Sequence, residues 1–328
     1  MQNISVIGSG RWGTFLGWYA ANYCGIPHVY LYDLKNSPNF IELKETRKNT
    51  YLALSDNIEL TDDLKKVLEN DTIIVSIGCQ HLRGLAKELN QHNIAGKTFL
   101  LAIKGLEEPS AKTITQIMEE EIDQKVHLAI LAGPGHVQDY MKKVPSCAVI
   151  DSKEFETKDH LIKMLSSDLI RFYYGNDLIG NEIGSALKNV IGLAAGALDG
   201  LGWYGLKGAL MARAPIEVGR FIKAFGGNPQ TAYGLSHLGD YEATLFSQHS
   251  QNRTFGEKFI KGESYGSYGK LAEGYYTLKA VKQIADQKGI DMPITQALYK
   301  GIYEGEDVKS IIKEVFDRNL KQEFEYIC

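Results

Sequence analysis

Lys188 is the residue whose surroundings in the sequence most strongly indicate chemistry. It is the one charged residue between Glu182 and Asp199, in a stretch of small, apolar and neutral residues with the composition of a buried helix. An ammonium group in apolar surroundings is costly unless it is paired, and its pKa shifts readily on burial. Lys188 is therefore a candidate proton donor or acceptor. The alternative is a lysine whose stem lies along the helix while its head reaches water.

Glycines recur at four-residue intervals on both sides of this lysine, at Gly180, Gly184, Gly192, Gly196 and Gly200. On an α-helix such a row drifts slowly around the surface, so that Gly184, Lys188 and Gly192 share one face. Each glycine costs a helix interior roughly 1 kcal/mol relative to alanine, which indicates the close approach of a second backbone or of a ligand. Beside a catalytic lysine, we expect the row to let this face lie close to cofactor and substrate.

The N-terminal sequence contains a glycine-rich turn that could bind a dinucleotide. The apolar run Ile4–Ile7 is followed by a GxGxxG pattern whose glycines are Gly8, Gly10 and Gly13. The first glycine permits a tight turn, the second lets the backbone approach a pyrophosphate, and the third allows the following helix to pack on the strand. The phosphates then lie against N–H groups at the helix N-terminus. This context predicts dinucleotide binding.

Asp33 follows the second predicted strand, at the position where a carboxylate accepts hydrogen bonds from the adenosine ribose. Its charge would repel a 2′-phosphate, so the sequence favours NAD, with NADP possible. The alternative is a strand-end aspartate that caps the next turn. Arg11 and Trp12 should border the pyrophosphate, although Trp12 could equally belong to the core.

The composition excludes several classes of protein. A net charge of −4 and a pI near 6.1 give no support to a nucleic-acid partner, and no apolar run reaches the 18 residues of a membrane span. The start of the chain lacks the features of a signal peptide. The cysteines Cys24, Cys79, Cys147 and Cys328 are scattered, which predicts reduced thiols and no metal site. We expect a cytoplasmic protein with a small-molecule substrate, and a homodimer is one candidate for its oligomeric state.

Apolar runs alternate with amphipathic stretches in the first half of the sequence, which predicts βαβ units and a mostly parallel sheet. The predicted strands are Ile4–Ile7, Val29–Tyr32, Thr72–Ile77, Thr98–Ile103 and Leu128–Leu131, with possible edge strands at Cys147–Ile150 and Ile170–Tyr173. Helical patterns follow, among them Ile179–Leu198 and Ala209–Ala224. The chain of 328 residues suits two domains. We predict a Rossmann-type doubly wound domain at 1–175 and an all-helical domain at 176–328.

Several sequence blocks then occur in a fixed order: Gly8–Gly13, Ile103–Glu107, Gly133-Pro134, Glu182–Gly184 with Ala186–Val190, Leu238–Asp240, Asn252-Arg253 with Phe255-Gly256, Glu273–Tyr275 and Met292–Ile294. Together they resemble the bacterial-type NAD(P)-dependent sn-glycerol-3-phosphate dehydrogenases over essentially the whole chain. The resemblance implies reversible reduction of dihydroxyacetone phosphate to sn-glycerol 3-phosphate, the starting point of glycerophospholipid synthesis.

The resemblance also implies roles for individual residues. Hydride transfer to a ketone leaves an alkoxide that needs a proton, and Lys188 would supply it, with a pKa lowered by burial and by a second cation. Lys104 follows a parallel strand, where open α/β sheets bind ligands, and would contact both substrate and cofactor. Asp240 would orient Lys188 and balance the two cations. Asn189 and Thr244 would be hydrogen-bonding partners of substrate or lysine.

Further family positions fall on both halves of the chain. Gly133 would offer a backbone N–H to an anion. The cofactor would also contact Val137, Leu271 and Glu273, and for Glu273 the alternative is an i,i+4 partner within a helix.

The phosphate side departs from the family pattern. The family pattern has a serine or threonine where this chain has Gly135. The family sequence Ser-Arg-Asn corresponds to Ser250-Gln251-Asn252 in this chain, so that Gln251 replaces the arginine. Gln251 cannot form the charged, bidentate contact with a phosphate that an arginine forms. Arg253 would substitute if the loop were rearranged. These departures leave a related dehydrogenase with a different polar substrate as one alternative, and a nucleotide-binding regulatory protein as another.

Overall fold

The computed structural model of the protein describes residues 2–245, 247 and 250–323, so that Cys328 lies outside the described residues. The chain divides into two compact units. The first comprises Met1–Ile103 and Ile114–Leu178, and the second comprises Lys104–Thr113 and Ile179–Cys328. The short segment Lys104–Thr113 belongs to the second unit because Leu106 and Ala111 lie in a hydrophobic cluster of that unit.

The described part of the first unit forms one eight-stranded sheet. Its strands are β1 (Ile4–Ile7), β2 (Val29–Tyr32), β3 (Ile58–Thr61), β4 (Thr72–Val75), β5 (Thr98–Leu101), β6 (His127–Ala132), β7 (Ser146–Asp151) and β8 (Ile170–Tyr174). They lie in the order β3-β2-β1-β4-β5-β6-β7-β8. Neighbouring strands are parallel except for β6 and β7, which are antiparallel.

Two hydrophobic clusters cover this sheet and explain why its central strands are continuous apolar runs. Alternate residues of β1 enter different clusters, with Ile4 and Val6 in one and Ile7 in the other. A strand buried on both faces favours apolar side chains along its length, and the polar residue of β1, Ser5, donates its hydroxyl proton to the carbonyl oxygen of Val67 at 2.8 Å. The predicted parallel Rossmann-type sheet is therefore confirmed. Strand β3, which was not among the predicted strands, extends the sheet beyond β2.

Helices connect the strands of the first unit. They are α1 (Arg11–Tyr23), α2 (Pro38–Thr46), α3 (Leu64–Val67), α4 (Leu82–Leu89), α5 (Ile114–Glu121), α6 (Val137–Met141) and α7 (Phe155–Leu165), with a 3₁₀ turn at Cys79–His81. Among the described residues, Cys24, Cys79 and Cys147 form no disulfide bond.

The described residues of the second unit form helices and turns, and no strand occurs among them, which confirms the predicted all-helical region. The helices are α8 (Leu178–Leu201), α9 (Leu206–Ala224), α10 (Asp240–Leu245), α11 (Gln251–Ile260), α12 (Tyr265–Tyr268), α13 (Glu273–Lys288), α14 (Pro293–Glu304) and α15 (Val308–Phe316). A 3₁₀ segment spans Pro229–Tyr233, and a π-helical turn spans Leu235–Gly239. Over the described residues, no helix is both long and apolar enough to cross a membrane.

Helix α8 is the central element of the second unit, because every residue from Gly180 to Leu198 is buried. Its glycines face protein rather than open space. A Cβ at Gly196 would lie 1.9 Å from the carbonyl oxygen of Arg253, and one at Gly200 would lie 2.9 Å from that of Glu257. These two glycines therefore admit the backbone of α11, which is the close approach of a second backbone that the row indicated, while contact of the Lys188 face with cofactor and substrate stays a prediction.

The glycine row generates a prediction about stability. Gly196→Ala will force α8 and α11 apart and lower the free energy of unfolding by about 1–3 kcal/mol or more, because the added methyl overlaps backbone. Gly208→Ala is the matched control: it lies in α9, and a Cβ there would have none of the described atoms within 4 Å. That change will raise stability by up to about 1 kcal/mol. Urea denaturation measures both, and equal effects would contradict the packing described.

Candidate active site

The glycine turn of the first unit has the geometry of a dinucleotide-binding loop. Gly8 has a φ of 106°, and a Cβ there would lie 2.2 Å from the carbonyl oxygen of Ser76. A Cβ at Gly13 would lie 2.0 Å from the carbonyl oxygen of Gly8. Neither position accepts a side chain, because helix α1 begins directly against the ends of strands β1 and β4.

Gly10 differs from these two glycines, because a Cβ at that position would meet none of the described atoms within 4 Å. The residue is the N-cap of α1, and no side chain of the described residues caps this helix end. Open space and backbone N–H groups at a helix N-terminus are the features that a pyrophosphate requires. Arg11 is exposed and Trp12 is half-buried against Phe15, with ring centroids 5.3 Å apart. The residues present thus fit a dinucleotide.

Asp33 holds this turn from the end of strand β2. Its Oδ2 accepts hydrogen bonds from the backbone N–H of Ser9 at 2.8 Å and from the Ser9 hydroxyl at 2.6 Å. Its Oδ1 accepts a bond from the N–H of Leu34 at 2.7 Å, which is the turn-capping role considered as the alternative. The carboxylate therefore already fixes local backbone, and it does so beside the glycine turn.

The residues predicted near Gly133 lie after strand β6. Gly133 has a φ of 135°, and a Cβ there would lie 2.9 Å from the Cα of Ala148. At Gly135 a Cβ would lie 2.7 Å from the hydroxyl oxygen of Tyr140. The ring of Tyr140 thus occupies the space that the hydroxyl residue of the family pattern would need. Val137 begins α6 with its side chain in a hydrophobic core cluster.

In the second unit, the carboxylate of Asp240 joins two lysines. Its Oδ1 lies 3.1 Å from Nζ of Lys188, and its Oδ2 accepts a hydrogen bond from Nζ of Lys104. The side chain of Asp240 is only 5% exposed, against 11% for Lys188 and 24% for Lys104. The three residues predicted to carry the chemistry are therefore in direct contact, although Lys104 and Asp240 are 136 positions apart in the sequence.

The electrostatic balance of this triad favours the ionised carboxylate. Burial by itself would raise the pKa of Asp240, but the ammonium groups of Lys104 and Lys188 and their hydrogen bonds outweigh it and hold that pKa below its ordinary value. Thr244 supports the same geometry, because its hydroxyl accepts a bond from Lys188 at 3.2 Å and donates one to the carbonyl oxygen of Asp240 at 2.8 Å.

The polar residues predicted for substrate binding are brought together around the start of α11. Nδ2 of Asn252 donates to Oδ1 of Asn189 at 2.9 Å, and Oδ1 of Asn252 accepts from the N–H of Gly274 at 2.9 Å. Ser250 caps the helix by accepting a bond from the N–H of Arg253. These contacts join α8, α11 and α13.

Gln251 and Arg253 have partners of their own. The hydroxyl of Tyr268 donates to Oε1 of Gln251 at 2.8 Å. Nη1 of Arg253 lies 2.5 Å from Oδ2 of Asp199, and its Nε donates to the carbonyl oxygen of Ser247. Arg253 thus forms a structural ion pair with its side chain 13% exposed. The expectation that it substitutes for the family's phosphate-binding arginine finds no support in this arrangement.

Two further predicted residues precede helix α13 or begin it. Leu271 is 54% exposed, and Glu273 is the first residue of the helix and half-buried. Among the described residues, no group of three histidine, cysteine or acidic side chains is arranged to hold a metal.

Comparison with known proteins decides the family. The model for the N-terminal part of the NAD-dependent glycerol-3-phosphate dehydrogenases matches residues 3–158, and the model for their C-terminal part matches residues 177–313. The chain belongs to the NAD-dependent glycerol-3-phosphate dehydrogenase family. The resemblance inferred from the sequence blocks is thereby confirmed.

Relatives of the family match along the whole chain. A glycerol-3-phosphate dehydrogenase (NAD(P)+) of Staphylococcus aureus strain JH9 is 33% identical over 336 aligned positions, covering 98% of this chain and all of the relative. The crystal structure of the glycerol-3-phosphate dehydrogenase of Coxiella burnetii superposes with a TM-score of 0.89 at 26% identity, covering 97% of this chain and 99% of the other. The Plasmodium falciparum glycerol-3-phosphate dehydrogenase shares the fold at 20% identity, with a TM-score of 0.87 and coverage of 98% and 97%.

Proposed function

We propose that this chain reduces dihydroxyacetone phosphate to sn-glycerol 3-phosphate, reversibly, and so feeds glycerophospholipid synthesis. The observation that carries the proposal is the buried contact of Lys188 with Asp240, which Lys104 also binds, in a chain that both family models match. When bound, NADH supplies the hydride to the ketone carbon. The remaining chemistry is the transfer of one proton to the carbonyl oxygen.

Lys188 is the proposed proton donor, and the base in the reverse direction. An ammonium group can donate only if it is held close to the reacting oxygen in a fixed direction. The contacts with Asp240 and Thr244 fix Nζ of Lys188 from one side. Lys104 is the proposed second substrate lysine, and its charge stabilises the negative oxygen as it forms. Asp240 lies between the ammonium groups of Lys104 and Lys188, and its negative charge offsets the repulsion between them.

The residues proposed to bind the substrate phosphate differ from the family pattern. Where the family pattern has Ser-Arg-Asn, this chain has three neutral residues, Ser250, Gln251 and Asn252. Charge-assisted hydrogen bonds are roughly twice as strong as neutral ones. We therefore propose that neutral hydrogen-bond donors bind the phosphate, and that the backbone N–H groups of Gly133 and Gly135 contribute to this binding. The affinity for phosphate would be weaker than an arginine would give.

The proposed function predicts the effect of removing the ammonium group. Lys188→Met keeps an unbranched side chain, slightly shorter than lysine, that cannot donate a proton, so kcat for dihydroxyacetone phosphate will fall about 10²- to 10⁴-fold while NADH binding persists. Lys207→Met is the matched control: this lysine is also buried, with its side chain 10% exposed, and pairs with Asp199 instead. It will retain kcat per folded molecule.

NADH oxidation followed by absorbance measures these rates, with unphosphorylated dihydroxyacetone as the competing substrate. A wild-type enzyme that used both ketones equally well would overturn the assignment of a phosphorylated substrate. Undiminished turnover by the Lys188 variant would overturn the proton donor.

We also propose that the first domain, residues 1–175, binds NAD in preference to NADP and that residues 176–328 bind substrate. Besides Gly8, Gly10 and Gly13, the proposed cofactor contacts are Arg11, Trp12, Asp33, Lys104, Val137, Leu271 and Glu273. A homodimer and a cytoplasmic location stay predictions, tested by light scattering and by fractionation of the source cells.

The charge of Asp33 generates a prediction about cofactor choice. Asp33→Asn keeps an oxygen that accepts from Ser9 but removes the charge that would repel a 2′-phosphate, so the preference for NADH over NADPH will shrink by roughly tenfold or more. Competing kcat/KM values for the two cofactors measure it. A wild-type enzyme that used NADPH as efficiently as NADH would contradict the proposed preference.

A further inference from the structure

His237 is buried beside the lysine–aspartate contact, and it belongs to none of the sequence motifs described above. It lies in the π-helical turn Leu235–Gly239, which leads directly into Asp240. Its side chain is fully buried, and its Nδ1 lies 3.0 Å from the carbonyl oxygen of Gly184. Because a carbonyl oxygen only accepts hydrogen bonds, Nδ1 carries the proton. π-helical turns of this kind occur frequently at functional sites.

The acceptor of this bond belongs to the turn of α8 that positions the lysine. In an α-helix, the carbonyl of residue 184 accepts the backbone N–H of residue 188. The bond from His237 therefore ties the turn that directly precedes Asp240 to the helical turn that carries Lys188. Glycine at 184 permits the close approach, since a Cβ there would lie 3.1 Å from Cβ of His237 and 3.2 Å from Oγ of Ser236.

The charge state of the histidine suits this position. Burial lowers the pKa of His237 to about 4, and the bond to Gly184 only partly opposes that effect, so that the imidazole is neutral near pH 7. A neutral ring adds no third positive charge next to Lys104 and Lys188. Its Nε2 is buried and has no hydrogen-bond partner among the described residues. An unpaired buried acceptor costs free energy, so leucine of similar volume would be the cheaper residue if packing were the only role.

We infer that His237 is a positioning residue, which holds Asp240 against Lys188 through its hydrogen bond to the backbone of α8. The catalytic consequence of this role rests on the proposed function. His237 itself would not contact the substrate and would act only through Asp240 and Lys188. Through Asp240, His237 would fix the direction in which the ammonium group of Lys188 points toward the substrate.

Three substitutions separate the hydrogen bond from packing. His237→Leu fills the space without a donor, and His237→Gln places its amide near Nε2 rather than Nδ1. His237→Asn places an amide N–H near Nδ1 and can still reach Gly184. We expect the leucine and glutamine variants to lose about 10²-fold in kcat for dihydroxyacetone phosphate with unchanged NADH affinity, and the asparagine variant to recover most of it. A merely structural role would not give this order among the variants. If the leucine variant fails to fold, the comparison of glutamine with asparagine carries the test.

A double substitution tests whether His237 acts through the aspartate. In an Asp240→Asn background, His237→Leu will lower kcat little further, because the contact that it positions is already lost. Equal kcat for wild type, leucine and glutamine variants would overturn the inference while leaving the proposed function intact.

A crystal structure of the leucine variant gives a result that does not depend on activity. The distance from Nζ of Lys188 to Oδ1 of Asp240, 3.1 Å in the wild type, is expected to lengthen. An unchanged distance would also overturn the inference. Failure of the wild type to reduce dihydroxyacetone phosphate, with a lengthened distance in the variant, would instead overturn the proposed function alone.

Discussion

The second unit depends on one buried carboxylate that binds two ammonium groups. The carboxylate balances both ammonium groups at once, so neutralising Asp240 would leave two like charges facing each other. The contact also joins three segments that are distant in sequence: α8, the start of α10, and the segment Lys104–Thr113. The position of that last segment within the second unit is what places Lys104 beside Asp240. The same contact that holds the segments together directs the ammonium of Lys188.

Close backbone packing makes this arrangement possible. Glycines along α8 admit the backbone of α11 and the turn that contains His237, and a side chain at Gly196 or Gly184 would push them away. The pairing of Arg253 with Asp199 fixes α11 against the C-terminal end of α8. That pairing uses the cation nearest in sequence to Gln251, so Ser250, Gln251 and Asn252 form a neutral segment at the start of α11.

Local patterns allowed part of this structure to be predicted. Gly8–Gly13 and Asp33 lie within one βαβ unit, so their spacing alone indicated the turn. The contact of Lys104 with Asp240 came only from family resemblance, since no periodicity links residues so far apart. The glycine row left two interpretations open, because a glycine that admits a backbone and one that admits a ligand are identical in sequence. His237 was missed because a lone histidine carries no signal until its partner at Gly184 is known.

The most direct test of this account is the effect of neutralising the shared carboxylate. Asp240→Asn keeps the shape of the side chain and removes its charge, and kcat for dihydroxyacetone phosphate should then fall at least about 10²-fold, while the dissociation constant for NADH stays unchanged. Steady-state kinetics beside a fluorescence titration of NADH measure the two quantities. An Asp240→Asn enzyme with the kcat of the wild type would contradict the central claim that Asp240 orients the proton donor.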